Sequence, residues 1–174
     1  MGRAAILLAL IASGAGASEP GDPRLVHLDA ALRDSPRSVP LLSQRGDLNL
    51  FLVHFPEAVA DFERMIAADP REDAPHWRLG IAYYFNGQFA ASSRQFSKYH
   101  THDPRDRENG LWKFMADARL QGINAARRAM LAYERFDREP FPDLYALFAG
   151  QLTGSRFFAG LEERGLDRKS TRLN

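Results

Sequence analysis

The chain has 174 residues, 45% of them hydrophobic and 26% charged, with a formal net charge of +1 and no cysteine. That is enough for one domain with a real core, and too apolar for a disordered chain. The lack of cysteine excludes disulfides, thiolate metal sites, cysteine nucleophiles and lipid attachment through an N-terminal cysteine.

Residues 1–17 read as a secretory signal peptide. Arg3 gives a minimal positive region, AAILLALIA (4–12) is apolar but too short to anchor in a bilayer, and Ala15-Gly16-Ala17 supplies small residues for cleavage before Ser18. At the other end, DRKSTRLN (167–174) coincides with the in-frame translation of a common sequencing adapter and is set aside as an artefact. Setting both segments aside removes four of the 23 basic and one of the 22 acidic residues, leaving 19 and 21. The remaining balance is slightly acidic and gives no support to nucleic-acid binding.

Between these segments the pattern is helical throughout, with no alternation that would suggest strands. Residues 22–37, including LVHLDAALRDSP, predict a single N-terminal helix. From there a period of 34 sets in. Pro36, Pro70 and Pro104 keep that spacing, as do the pairs Gly46/Gly80, Phe55/Phe89, Phe62/Phe96 and Asp69/Asp103, while Ala58 matches Ser92. Residues 38–71 form one helical hairpin, looser in its first helix because Arg45 and Asn49 stand where apolar residues are usual. Residues 72–105 form the clearest hairpin. Trp77, Ile81, Tyr84 and Phe85 make one apolar face, Asn86-Gly87 ends its first helix, and Pro104 stops its second. The phase then slips by one residue, so a degenerate third hairpin spans 106–139, with a second helix running through NAARRAMLAYERF. Further helices near 142–150 and 155–163 complete a domain expected over 38–166.

Small, aromatic and proline residues in fixed phase at this period resemble the tetratricopeptide repeat, or TPR. The resemblance implies an all-α chain of tandem helical hairpins in a short right-handed solenoid, with extra C-terminal helices. The run RLGIAYYFNGQFAASSRQFSKYHTHDPRDRENGLWKFMADARL (78–120) is more narrowly similar to the NlpI type of envelope TPR lipoprotein. That likeness implies a non-enzymatic adaptor that binds protein partners, among them peptidoglycan hydrolases and a periplasmic protease, and that forms homodimers. The lipobox cysteine of that type is replaced by Ser18, so a periplasmic or secreted protein without a membrane anchor is expected.

The family phase puts the first helix of each hairpin on a concave surface. The groove residues it implies are Ser43, Asp47, Leu50 and Phe51, then Trp77, Ile81, Tyr84 and Phe85, with Trp112 continuing the row. Rigid aromatic side chains on such a surface suit peptide recognition. A groove covered by the chain's own C-terminal helices remains an equal alternative.

Catalytic signals are weak. No Gly-x-Ser-x-Gly elbow, phosphate loop or His-Glu-x-x-His motif is present, and no cofactor is expected. Ser92 sits at a small packing position, and Glu162-Glu163 are neighbours that do not face one another. The one cluster of ligand-type residues, His100, His102 and Asp103, supports an alternative reading as a metal-dependent hydrolase. The repeat phase instead makes these residues a helix end, with Asp106 capping the next helix. A third alternative is the TPR module of a longer protein.

Overall fold

Pro23 follows Asp22, whose carboxylate accepts a hydrogen bond from the Arg24 N–H (2.9 Å), and the chain turns there into its first helix, α1 (Pro23–Asp34). The computed structural model describes residues 21–134 and 139–165. The segments read as signal peptide and adapter, together with Leu166 and residues 135–138 of the third hairpin, lie outside the described residues. Among the described residues every regular element is helical, and no helix is long and apolar enough to cross a membrane.

Helices α2 (Val39–Phe51) and α3 (Phe55–Ala68) follow, joined by three residues that force them to fold back on each other. Val53 in this turn takes a left-handed conformation (φ 66°). A short 3₁₀ turn (Pro70–Glu72) leads to the next pair, α4 (Trp77–Phe85) and α5 (Phe89–His102). Here Asn86-Gly87 make the reversal, with Gly87 at φ +75°, which glycine adopts at little cost. Helix α5 ends at His102, just ahead of Asp103-Pro104.

The 34-residue spacing has a packing counterpart. Gly46 on α2 faces the Phe62 ring on α3, and Gly80 on α4 faces the Phe96 ring on α5 in the same way. Both rings are inaccessible to solvent. Ala58 and Ser92, also 34 apart, are fully buried, and the Ser92 hydroxyl donates to the Gly80 carbonyl (2.8 Å). Small residues at these four places let the helix backbones approach closely enough for one phenylalanine per hairpin to fill the space between them. Burying each ring contributes about 2–3 kcal/mol.

Helices α6 (Arg107–Gln121) and α7 (Ile123–Arg128) extend the stack. Asp106 caps α6, accepting from the Glu108 N–H (3.0 Å). The main core runs from α2 to α6 through Leu50, Val59, Phe62, Ile81, Phe96 and Trp112. Leu32, Leu42 and Met65 tie α1 to the first hairpin. Helix α8 (Phe141–Ala149) docks on α6 through Phe141, Tyr145 and Leu111, and α9 (Gly154–Glu163) follows, capped by Thr153.

The third hairpin departs from expectation. The sequence predicts a second helix through NAARRAMLAYERF, but α7 stops at Arg128 and residues 130–133 are not helical. Tyr133 explains the break. Its hydroxyl donates to the Asp106 carbonyl (2.8 Å), and its ring meets His100 and Tyr145 edge-on (5.3 and 5.4 Å). Docking this segment across the start of α6 outweighs the helix propensity of its alanines and leucine, a weak local preference.

Candidate functional site

The side chains that α4 presents beside α2 and α6 form a connected aromatic cluster. Trp112 on α6 lies at its centre. It stacks nearly parallel on Phe96 (6.1 Å, 13°) and takes edge contacts from Tyr84 (5.7 Å) and Phe85 (6.0 Å). Phe55, opening α3, stacks on Phe85 (5.1 Å, 17°), and Phe89, opening α5, meets Tyr84 edge-on (5.5 Å). Such geometries each contribute about 0.5–1.5 kcal/mol beyond burial, so the cluster is a rigid platform.

The nine residues expected to line a groove divide by depth. Leu50, Ile81 and Trp112 are buried, at 1%, 0% and 5% exposure, and hold the platform from beneath. Trp77, Tyr84 and Phe85 are half-buried and pack against that core. Phe51 is exposed, and Ser43 and Asp47 are half-buried on α2. The structure therefore brings Tyr84, Phe85 and Trp112 into direct contact, while Phe51 and Ser43 sit outside the cluster's ring contacts.

Charge borders the aromatic surface. Asp47 on α2 pairs with Arg78 on α4 (2.7 Å), and the Arg78 guanidinium also lies over the Trp77 ring (5.3 Å). Burial pushes the Asp47 carboxyl above its usual value, with Arg78 opposing the shift. On the far side, Arg119 sits over the Phe89 ring (4.6 Å). Phe55, Phe89 and Arg119 were not among the expected site residues. The 34-residue spacing of Phe55 and Phe89 was a signal for the first two; Arg119 gave none.

The histidine cluster is spread out. His100 turns its ring to Tyr133, whereas His102 is exposed and leans on Tyr99 (6.1 Å). Asp103 accepts from the Arg105 N–H (3.0 Å) in the turn. Among the described residues no three His, Asp or Glu side chains converge to hold a metal ion. Ser93 donates to Asp117 (2.6 Å), and Lys113 pairs with the same carboxylate (2.6 Å). This arrangement ties α5 to α6.

A second polar network was signalled in the sequence only by the misfit of Arg45 and Asn49. Both reach Asp61 of α3, whose side chain is 2% exposed. Arg45 donates twice to this carboxylate (2.9 and 2.5 Å) and Asn49 once (3.1 Å), while another Arg45 nitrogen reaches Asp29 of α1 (2.6 Å). The Asp61 carboxylate beside it raises the Arg45 pKa beyond its ordinary value. The chain matches no protein-family model.

Proposed function

We propose that this chain is a non-enzymatic TPR adaptor of the bacterial cell envelope, exported to the periplasm or beyond, that binds a peptide segment of a protein partner. The observation that carries this reading is the half-buried row of Trp77, Tyr84 and Phe85, of which Tyr84 and Phe85 rest on buried Trp112. Aromatic side chains held this way offer large contact area at small entropic cost, as peptide-binding surfaces require. The matched Gly–Phe packing of the two hairpins, 34 residues apart, supports the repeat assignment. The NlpI-like run at 78–120 supports envelope hydrolases or a periplasmic protease as the partner class, and a homodimer as the assembled form.

A pulldown with residues 18–166, compared with a Trp77→Ala/Tyr84→Ala variant, tests the proposal. Recovery of a defined set of envelope proteins that the variant loses is the expected outcome. Recovery of no specific protein, or of the same set by both baits, overturns it.

A further inference from the structure

Away from the aromatic face, α1, α2 and α3 border an open charged cleft made of two adjoining, solvent-open cavities of about 300 and 380 Å³, which share Asp29, Arg45 and Arg64. Its floor is built rather than incidental. Asp61 is buried, and its carboxylate takes hydrogen bonds from both Arg45 and Asn49, so the Arg45 guanidinium is held in one orientation. Arg45 is satisfied on its other side by Asp29.

The two remaining arginines of the larger cavity are not used up in this way. Arg33 is exposed and has no ion-pair partner among the described residues. Arg64 donates to the Pro36 carbonyl with one terminal nitrogen (2.9 Å), while its other stands 3.8 Å from Asp61, too far for a hydrogen bond. The wall of this cavity carries three arginines against one carboxylate, with Leu32 as its only apolar member.

From this arrangement we infer a second binding site, independent of the aromatic face, in which Arg33 and Arg64 take a single carboxylate of a peptide. A guanidinium fork matches a carboxylate with two parallel hydrogen bonds. A monoanion fits better than a phosphate dianion. Asp29 borders both cavities and Glu57 lines the smaller one, so a second negative charge would be repelled. The carboxylate comes from an acidic side chain or from a chain terminus.

The test is fluorescence anisotropy of the folded chain with three labelled decapeptides at fixed ionic strength. One carries a single glutamate and an amidated C-terminus, one has no acidic side chain and a free C-terminus, and one has no acidic side chain and is amidated. Binding of either of the first two over the third is expected, and which of them binds identifies the source of the carboxylate. Arg33→Gln and Arg64→Lys should each weaken that binding about tenfold, because loss of a charge or of the planar fork removes the paired geometry. Arg94→Gln, an exposed arginine outside the cleft, should leave it unchanged, as should Trp77→Ala, which separates this site from the aromatic face. Three results would each overturn the inference: equal binding of all three peptides, equal loss in the Arg94 variant, or displacement by inorganic phosphate at lower concentration than by acetate. Arg33 is exposed and its replacement leaves the core intact, so an unchanged affinity in Arg33→Gln also counts against it.

Discussion

Gly46 and Phe62 meet so closely that a β-carbon placed on the glycine would lie 2.5 Å from the ring. Gly80 and Phe96 repeat the relationship, at 2.8 Å. Neither ring can swing aside, because both are fully enclosed. Gly46→Ala and Gly80→Ala should therefore each destabilise the fold by about 1–3 kcal/mol through overpacking, despite alanine's better helix propensity. Gly154, at the exposed start of α9, has no neighbour within that reach, and Gly154→Ala should be neutral or slightly stabilising. Urea unfolding followed by circular dichroism measures all three.

His76 is a buried histidine with a defined tautomer. Its Nδ1 accepts from the Leu79 N–H (3.1 Å) and caps α4, so the neutral ring carries its proton on Nε2, which is buried without a hydrogen-bond partner among the described residues. Burial lowers its pKa from 6.5 to about 3, and Arg78 adds to the shift. Between these values the unfolded chain binds one more proton than the folded chain, so stability is full above pH 6.5 and falls as the solution is acidified. The loss attributable to His76 is about 2 kcal/mol between pH 7 and pH 5. His76→Asn keeps an acceptor at the cap and removes the titration, so its stability should change less over that interval. Equal slopes for the two proteins would show that His76 does not carry the dependence.

Asp61 offers a test of the buried network. Replacing it with alanine leaves Arg45 and Asn49 turned toward an empty site, and should cost about 3–5 kcal/mol. In the TPR pattern that the sequence resembles, leucine and tyrosine are usual at the positions of Arg45 and Asn49. The combined change Arg45→Leu, Asn49→Tyr and Asp61→Ala should therefore recover most of that loss. Thermal melts of the single and triple variants decide the matter. A single variant as stable as the parent would mean that the carboxylate does not hold the hairpin together.

What the sequence displayed follows from how local each signal is. The hairpins at 38–71 and 72–105 were visible because their glycines, phenylalanines and prolines repeat in register, and each repeat is a packing requirement expressed in residue size. The Asp106 cap and the stop before Asp103-Pro104 were legible for the same reason, since both act within a few residues. The route of residues 130–133 was not. It depends on Tyr133 finding the Asp106 carbonyl 27 positions away, and helix-forming residues give no warning of that. The aromatic row was found, but its depth was not, because periodicity marks a face as apolar without saying what covers it. Trp112, placed by Phe96 and Tyr84 from two other helices, turned out to be the foundation of that row rather than part of its surface.

The difference in depth between Trp112 and Phe51 separates stability from binding on the aromatic face. Trp112 is 5% exposed and touches three other rings, so Trp112→Phe should cost about 1–3 kcal/mol, by loss of fit in a packed interior, and reduce binding only through that loss. Phe51 is 45% exposed on α2, and Phe51→Ser should change stability by less than about 0.5 kcal/mol. If the face engages a partner, the same Phe51→Ser change should weaken that association several-fold, because an exposed aromatic ring gains burial only in the complex. Trp77→Ala should act in the same direction and more strongly, since it removes both the ring and the surface over which Arg78 lies. Denaturation midpoints paired with pulldown yields for the three variants give the readout. Binding losses that simply follow stability losses would assign the aromatic row to the core alone.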